Sequence, residues 1–197
     1  LACHVRGLRR QSPDAFDETL EERRGVRVDD DVGIGRVAGQ VTGVRDGHAG
    51  RDLAARLVVE AGDGSDLTVV EHQTSAPGAG ASVPRTELRA ADASRLRYQV
   101  IQSLGTDHVQ LARHRSTVGA QATLVSGLAA FGARYARLRT DSDLVGRGGT
   151  ANLVAAYYGD GDQVHDFRTF QHHHARHTRS DLLFKGAAKH HARTLWQ

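Results

Sequence analysis

The sequence has no methionine and only one cysteine, Cys3, among its 197 residues. One thiol cannot form an internal disulfide framework or a zinc site built from cysteines alone, so we expect Cys3 to be an incidental thiol. No run approaches the ~18 consecutive apolar residues of a membrane-spanning helix, and the first residues lack the apolar core of a signal peptide. We therefore expect a soluble, cytoplasmic protein that does not enter a membrane.

Three motifs of common enzyme classes are also absent. No Gly-x-x-x-x-Gly-Lys-Ser/Thr loop precedes Lys185 or Lys189, which excludes a P-loop nucleotidase. Ser126 lacks the flanking glycines of a nucleophile elbow, so we interpret it as an ordinary strand or turn residue. Gly33-Ile34-Gly35 lacks the third glycine and the following helix of a dinucleotide loop, and we predict a loop or strand edge there. We assign no catalytic, cofactor-binding or metal-ligating residue and expect no enzyme activity.

The charge pattern gives little support for a nucleic-acid partner. The net charge is +3, and nearly all of the basic residues are arginines, whose guanidinium groups match phosphate geometry. However, the arginines alternate with acids along the chain, as between Arg139 and Asp143, and aromatic residues make up only 5%. We therefore expect no binding to nucleic acid, and we place Asp141 and Asp143 on a solvated strand edge.

The chain has 12 histidines, a residue type that often ligates metal ions. Seven of them lie between positions 165 and 191, and they are His165, His172, His173, His174, His177, His190 and His191. On a strand, His172 and His174 would share a face and could capture a metal ion together. A specific site also needs a third or fourth ligand, so we favour surface or turn positions for these histidines.

A repeated turn is the most informative feature of the chain. A small residue, two variable positions, Ser or Ala, one further position and a leucine recur at Gly62–Leu67, Ala91–Leu96, Gly119–Leu124 and Gly148–Leu153. The four leucines are spaced by 29, 28 and 29 residues. Each interval has room for two strands, for example Leu67–His72 with Val83–Arg89, Leu96–Ser103 with Val109–Val118, and Leu124–Phe131 with Tyr135–Leu144.

A constant interval favours a β-solenoid in which similar coils stack on one another. One strand pair cannot bury its apolar face alone, whereas stacked pairs share a continuous core. Small residues suit the corners, because the next coil presses directly on the turning backbone. We therefore predict that Leu67, Leu96, Leu124 and Leu153 lie one above another. An antiparallel β-sandwich remains the alternative, although it would not require the same turn at a fixed spacing.

The first 50 residues differ from the rest. Ser12-Pro13, followed by acids and then Arg23-Arg24-Gly25, carries the start and stop signals of one short helix. Residues 26–50, rich in Gly, Asp and Val, predict a loop or strand edge. We divide the chain into an N-terminal segment, 1–50, and a β-solenoid core, 51–197.

Residues 51–197 resemble the SufB/SufD family of iron–sulfur cluster assembly proteins, most closely SufD. The segments that carry the resemblance are Asp166–His172, His177–Ala187 and Ala192–Trp196, with Thr68–His72, Thr86-Glu87 and Leu96–Gln102 upstream. The most specific is Ser180–Gly186. The resemblance implies a right-handed parallel β-helix and a non-enzymatic scaffold that pairs with a SufB-like homologue and a SufC-like ATPase. It implies a transient iron–sulfur cluster in the full complex, none bound by this fragment, and leaves flavin binding open.

We interpret the chain as a fragment, because it has no methionine and ends inside a predicted strand. The family's downstream Cys-Ser-His-Gly-Ala segment and its helical region for SufC docking are not present, so no cluster-ligand role transfers to any residue. A solenoid cut between coils exposes strand amides, so we expect the isolated chain to aggregate or to need a partner. A generic interaction solenoid with an arginine-rich face and a β-helical polysaccharide-active enzyme are the alternative functions.

Overall fold

The computed structural model describes the chain at residues 2–7, 26–30, 33–37, 53–75 and 78–197. Within these ranges the secondary structure is strand and turn, with no helix. The strands are β1 Ala2–Gly7, β2 Val26–Asp30, β3 Gly33–Val37, β4 Leu53–Ala61, β5 Asp66–Thr74, β6 Gly80–Ala90, β7 Arg95–Ser103, β8 His108–Val118, β9 Thr123–Ala130, β10 Tyr135–Leu144, β11 Thr150–Gly159, β12 Val164–His173, β13 Arg179–Ala188 and β14 Arg193–Trp196.

Successive strands from β4 onward alternate between two sheets. The first sheet has the order β1-β5-β7-β9-β11-β13, and the second has the order β14-β12-β10-β8-β6-β4. From β4 to β14, each strand pairs in parallel with the strand two places along the chain. One strand from each sheet makes a coil, so β4–β5, β6–β7, β8–β9, β10–β11 and β12–β13 are coils 1 to 5. This confirms the predicted β-solenoid, and the parallel pairing excludes the antiparallel sandwich.

The strands predicted from the repeat are confirmed with small shifts at their ends. The predicted Leu96–Ser103 lies in β7, Val109–Val118 in β8, and Tyr135–Leu144 coincides with β10. These strands alternate between exposed and buried positions, which is what one solvent-facing and one core-facing side require. The short β-type runs therefore predicted both the elements and the side that each residue faces.

The corners that lead from the second sheet into the first share one backbone conformation. A residue with positive φ lies in each of them, namely Gly64 at 65°, Ala93 at 57°, Gln121 at 54°, Gly148 at 73° and His177 at 60°. The serine of the repeated turn also has a local role. The Ser65 hydroxyl donates to the Gly62 carbonyl at 2.6 Å, and the Ser94 hydroxyl donates to the Ala91 carbonyl at 2.7 Å. The preference for serine thus reflects a hydrogen bond as well as small size.

Three of the four leucines of the repeated turn lie one above another. Leu67 pairs in register with Leu96, and Leu96 pairs with Leu124. The prediction for Leu153 is wrong, because the register partner of Leu124 is Ala151. Leu153 lies two residues further along β11.

The error comes from the residue at which the sequence pattern begins the repeated turn between β10 and β11. Gly146 packs directly against the preceding corner, where a Cβ on it would lie 1.9 Å from the Ala120 backbone nitrogen. The turn therefore begins at Gly146, two residues earlier than the sequence pattern indicates. Leu153 remains in the core opposite Ser126, and its larger volume compensates for the alanine that precedes it by two positions.

The interior combines an apolar cluster, to which both sheets contribute, with buried polar side chains. The main apolar cluster contains Leu57, Val59, Ala61, Leu67, Val69, Leu88, Ala90, Leu96, Tyr98, Val100, Val118, Ala122, Leu124, Leu144, Ala151 and Leu153. On the second sheet, Thr86, His114 and Thr140 share one inward-facing column and are buried. Polar groups therefore face the axis of the solenoid as well as the solvent.

The N-terminal strands attach to this core in a different way. β1 pairs antiparallel with β5 at the edge of the first sheet, and β2 and β3 form an antiparallel hairpin. Gly33-Ile34-Gly35 lies in β3, in agreement with the strand-edge interpretation. The helix predicted between Ser12 and Gly25 lies outside the described residues.

Candidate functional site

A cluster of polar side chains lies inside the solenoid, where coils 1 to 3 meet. Glu71 on β5 is only 2% exposed. Its carboxylate accepts hydrogen bonds from the Tyr98 hydroxyl on β7 and from Gln73 Nε2, the latter at 2.7 Å. Gln110 Nε2 on β8 in turn donates to Gln73 Oε1 at 2.9 Å. One chain of hydrogen bonds therefore connects three consecutive coils.

His114 lies beside this cluster on β8. Its ring meets the Tyr98 ring edge to face, with the centroids 5.7 Å apart. Burial lowers the pKa of His114 to about 4, although the nearby charge of Glu71 acts in the opposite direction. His114 is therefore neutral at pH 7, which does not suit a proton donor working near neutrality.

A small cavity adjoins the cluster and is lined partly by Gln73, Gln102, Gln110 and His114. Its volume of about 10 Å³ has room for about one water molecule. The Gln102 amide is held in place by Gly132, whose N–H donates to Gln102 Oε1 at 2.9 Å. The interior therefore holds a fixed polar network and has no space for a substrate-sized molecule at this cavity.

The consecutive histidines around β12 lie at its C-terminal end and face different surroundings. The rings of His172 and His174 stack with their centroids 6.1 Å apart. His174 Nε2 lies 3.2 Å from Asp143 Oδ1 in the preceding coil, whereas His173 Nδ1 lies 2.7 Å from the Thr178 hydroxyl. Throughout the part of the chain that the structure describes, no three His, Cys, Asp or Glu side chains are grouped so as to hold a metal ion.

The other C-terminal histidines divide between corners and core. His177 and His190 lie in corners with φ values of 60° and 56°, and His190 Nδ1 lies 2.6 Å from Asp160 Oδ1. The prediction of surface or turn positions is right for these two and wrong for His165, which is fully buried. His165 faces inward because odd-numbered residues of β12 point to the core, and its Nε2 lies 3.2 Å from the Gly132 carbonyl oxygen.

Asp141 and Asp143 share the outward face of β10, as expected, but they are not solvated. The Asp141 side chain is 7% exposed and is 2.9 Å from Arg139 and 3.3 Å from Arg113. Burial raises the pKa of Asp141, but the hydrogen bonds and charges of the two arginines outweigh it, and the pKa lies below its ordinary value. Asp143 is similarly held by Arg115 at 3.1 Å. The solvated-edge prediction is wrong, because arginines of neighbouring strands cover both carboxylates.

The interior cluster was not predicted from the sequence. Its chemistry is structural, since the donors and acceptors of Glu71, Gln73 and Gln110 are bonded to one another away from solvent. A signal was present, because Glu71 and Gln73 continue the alternation that makes Leu67 and Val69 core residues. Polar residues at core-facing positions predict a buried network, but its partners lie on strands that are distant in sequence.

A family model described as the SufBD core domain of SUF system FeS cluster assembly matches residues 44–197. An iron–sulfur cluster assembly SufBD family protein of Mycobacterium bovis is 28% identical over 124 residues, which cover 63% of this chain and 30% of that protein. A protein of the same description from Mycobacterium leprae is 27% identical, over 63% of this chain and 31% of that protein. The chain thus spans about 30% of the length of these curated relatives. No solved structure matches it, and no helix within the described ranges is long and apolar enough to cross a membrane.

Proposed function

Because this chain belongs to the SufBD family of iron–sulfur cluster assembly proteins, we propose that it serves as a non-enzymatic scaffold in iron–sulfur cluster assembly. The proposal rests on the overlap between the family match and the solenoid. The family match at 44–197 contains the whole solenoid from β4 to β14. The part of the chain that resembles assembly proteins is therefore the part that forms a regular stack of coils.

The coils are joined in ways that favour a stiff surface over a mobile one. Parallel ladders connect every pair of neighbouring coils on both sheets. The interior hydrogen bonds from Glu71 to Gln110 cross three coils, and outward ion pairs such as Arg115 with Asp143 cross between coils as well. Such a surface can hold other subunits at fixed positions, which is what a scaffold requires.

We propose a SufD-like role in the cytoplasm, in which the protein pairs with a SufB-like homologue and acts with a SufC-like ATPase. The partner supplies ATP hydrolysis, since this sequence has no phosphate-binding loop. The cluster is cargo of the complex. The single thiol of these 197 residues, Cys3, cannot by itself supply the sulfur ligands of a cluster.

Asp141 and Asp143, two carboxyl groups on the outward face of the second sheet, do not suit the alternative of a polysaccharide-active enzyme that hydrolyses glycosidic bonds. Glycoside hydrolysis requires one carboxyl group that is protonated near neutral pH. Asp141 and Asp143 instead have pKa values below the ordinary range, because arginine hydrogen bonds and charges, with His174 at Asp143, outweigh the effect of burial. Both are therefore ionised at neutral pH, and their arginine partners hold them away from a substrate.

Co-expression with the SufB-like and SufC-like proteins from the same source tests the proposal. We expect the three proteins to elute as one complex, and cluster transfer to an apo acceptor protein to slow when this subunit is omitted. Gly146→Val, which places a side chain against the backbone of the preceding coil, should abolish both effects. Gly62→Ala, where a Cβ meets nothing within 4 Å, should preserve them. Separate elution of this protein, with unchanged cluster transfer, would overturn the proposal.

A further inference from the structure

The outward face of the second sheet carries an unbroken column of five arginines. Register pairs join Arg56 to Arg85, Arg85 to Arg113, Arg113 to Arg139 and Arg139 to Arg168. Adjacent parallel strands are about 4.8 Å apart, so this arginine column runs about 19 Å along the solenoid axis. Like charges directly opposite one another on neighbouring strands are destabilising. The packing of the sheet therefore does not by itself favour this arrangement.

Carboxylates relieve the repulsion, but they lie beneath the guanidinium groups. Glu87, Asp141 and Asp166 each contact arginines of the column, and their side chains are 14%, 7% and 10% exposed. The arginines of the column are 36–55% exposed. A molecule that approaches this face therefore meets positive charge first, although the formal charges partly cancel.

Exposed apolar side chains lie next to the arginine column. Val83 and Leu111 are 54% and 46% exposed, and each precedes an arginine of the column by two residues on the same face of its strand. Arginine is enriched in the energetically important parts of protein–protein interfaces, and the exposed apolar side chains beside it add surface that a partner can bury. The apolar neighbours suit a protein partner better than a nucleic acid, because a phosphate backbone offers no apolar surface for Val83 and Leu111 to pack against.

The equivalent central column on the outward face of the first sheet has no charge. It consists of Val70, Gln99, Gly127, Val154 and Leu183. The two faces share the same coil geometry, so the repeat itself does not generate the arginine column. The arginine column is therefore a property of one face of the solenoid.

We propose that the arginine column is a docking surface for an acidic α-helix of a partner protein, lying along the solenoid axis. Helix residues three or four positions apart have Cβ atoms about 5–6 Å apart, close to the spacing of the arginines. A length of about 19 Å corresponds to about 13 helical residues. Each guanidinium has five N–H donors, so an arginine that holds a carboxylate below it can also bind one from the partner. This inference is independent of the role in cluster assembly.

The test measures binding of the 197-residue chain to a 14-residue helical peptide with glutamates at positions 3, 7, 10 and 14. Its glutamine counterpart is the control peptide. Arg85→Gln with Arg113→Gln removes two arginines of the column, while Glu87 and Asp141 each keep another arginine. The matched control, Arg95→Gln with Arg97→Gln, removes two arginines from the outward face of the first sheet. We expect about fivefold weaker binding for the first variant and less than twofold for the second.

Circular dichroism establishes that each variant is folded. If Arg85→Gln with Arg113→Gln does not fold, Arg85→Lys with Arg113→Lys keeps the charge, removes the bidentate geometry and should weaken binding about twofold. Three results would overturn the proposal: equal binding of the glutamate and glutamine peptides, equal loss in the first-sheet control, or tighter binding of duplex DNA than of the glutamate peptide at the same salt concentration.

Discussion

Removing the Tyr98 hydroxyl tests how much the buried carboxylate of Glu71 depends on its partners. In Tyr98→Phe the carboxylate loses the donor from coil 2 and keeps Gln73 from its own strand. Hydrogen bonds to a charged group contribute about 1.5–3 kcal/mol. We therefore expect the free energy of unfolding to fall by about 2 kcal/mol.

Glu71→Gln provides the second arm of a double-mutant cycle. The amide oxygen still accepts from Tyr98 and the cost of burying a charge disappears, but the new amide NH₂ group opposes the Gln73 Nε2 donor, so we expect a loss of about 1–2 kcal/mol. Without the charge, the missing hydroxyl should matter less. Tyr98→Phe should therefore cost about 1 kcal/mol less in the Glu71→Gln background than in the parent.

Urea unfolding followed by far-ultraviolet circular dichroism measures these differences. Tyr158→Phe is the matched control, because Tyr158 is 40% exposed. It should change the free energy of unfolding by less than about 0.5 kcal/mol. The reasoning is refuted if Tyr98→Phe unfolds at the same urea concentration as the control, or if its cost is unchanged when Glu71 is replaced.

Three further predictions concern corners and the charged face. Gly146→Ala should destabilise the chain by more than about 2 kcal/mol in the same urea assay, because the added Cβ would meet the Ala120 backbone, whereas Gly62→Ala should be tolerated. Ala93→Gly should raise the free energy of unfolding by about 0.5–1 kcal/mol, since alanine has a φ of 57° there, and a loss of stability would contradict this account. Asp141→Asn should be destabilising at pH 7, and its cost should shrink as the pH falls below about 4. The sign follows from the lowered pKa of Asp141: the ionised carboxylate stabilises the fold at pH values above its unfolded pKa, and this stabilisation is lost when the carboxylate is protonated in acid. A cost of Asp141→Asn that does not change with pH in thermal melts would argue against this account.

The sequence predicted the solenoid because its corners repeat and its strands alternate, and both signals are local. The same signals did not locate Leu153, since Gly146 to Gly149 offers two reading frames for one small-residue turn. Only the close packing of Gly146 on Ala120 selects between them.

The interior cluster and the charged face could not be predicted from neighbouring residues, because their partners are distant in sequence. Glu71 is identifiable as core-facing from its own strand, but its partner Tyr98 is 27 residues away. Likewise, Asp141 looks like a solvated residue until Arg113 is placed over it by the neighbouring coil. Contacts between coils depend on register, and register depends on the length of every corner in between.

The hydrogen-bonded chain from Glu71 to Gln110 affects which coils pair with one another during folding. When coils have similar corners and similar strands, a strand can pair with the wrong coil at little energetic cost. Such mispairing is a common cause of misfolding in repetitive proteins. A coil that paired one level away from its proper neighbour would leave the buried Glu71 carboxylate without the Tyr98 donor. The buried acid and its hydrogen-bond partners therefore distinguish coils 1, 2 and 3 from one another and favour their correct order of pairing.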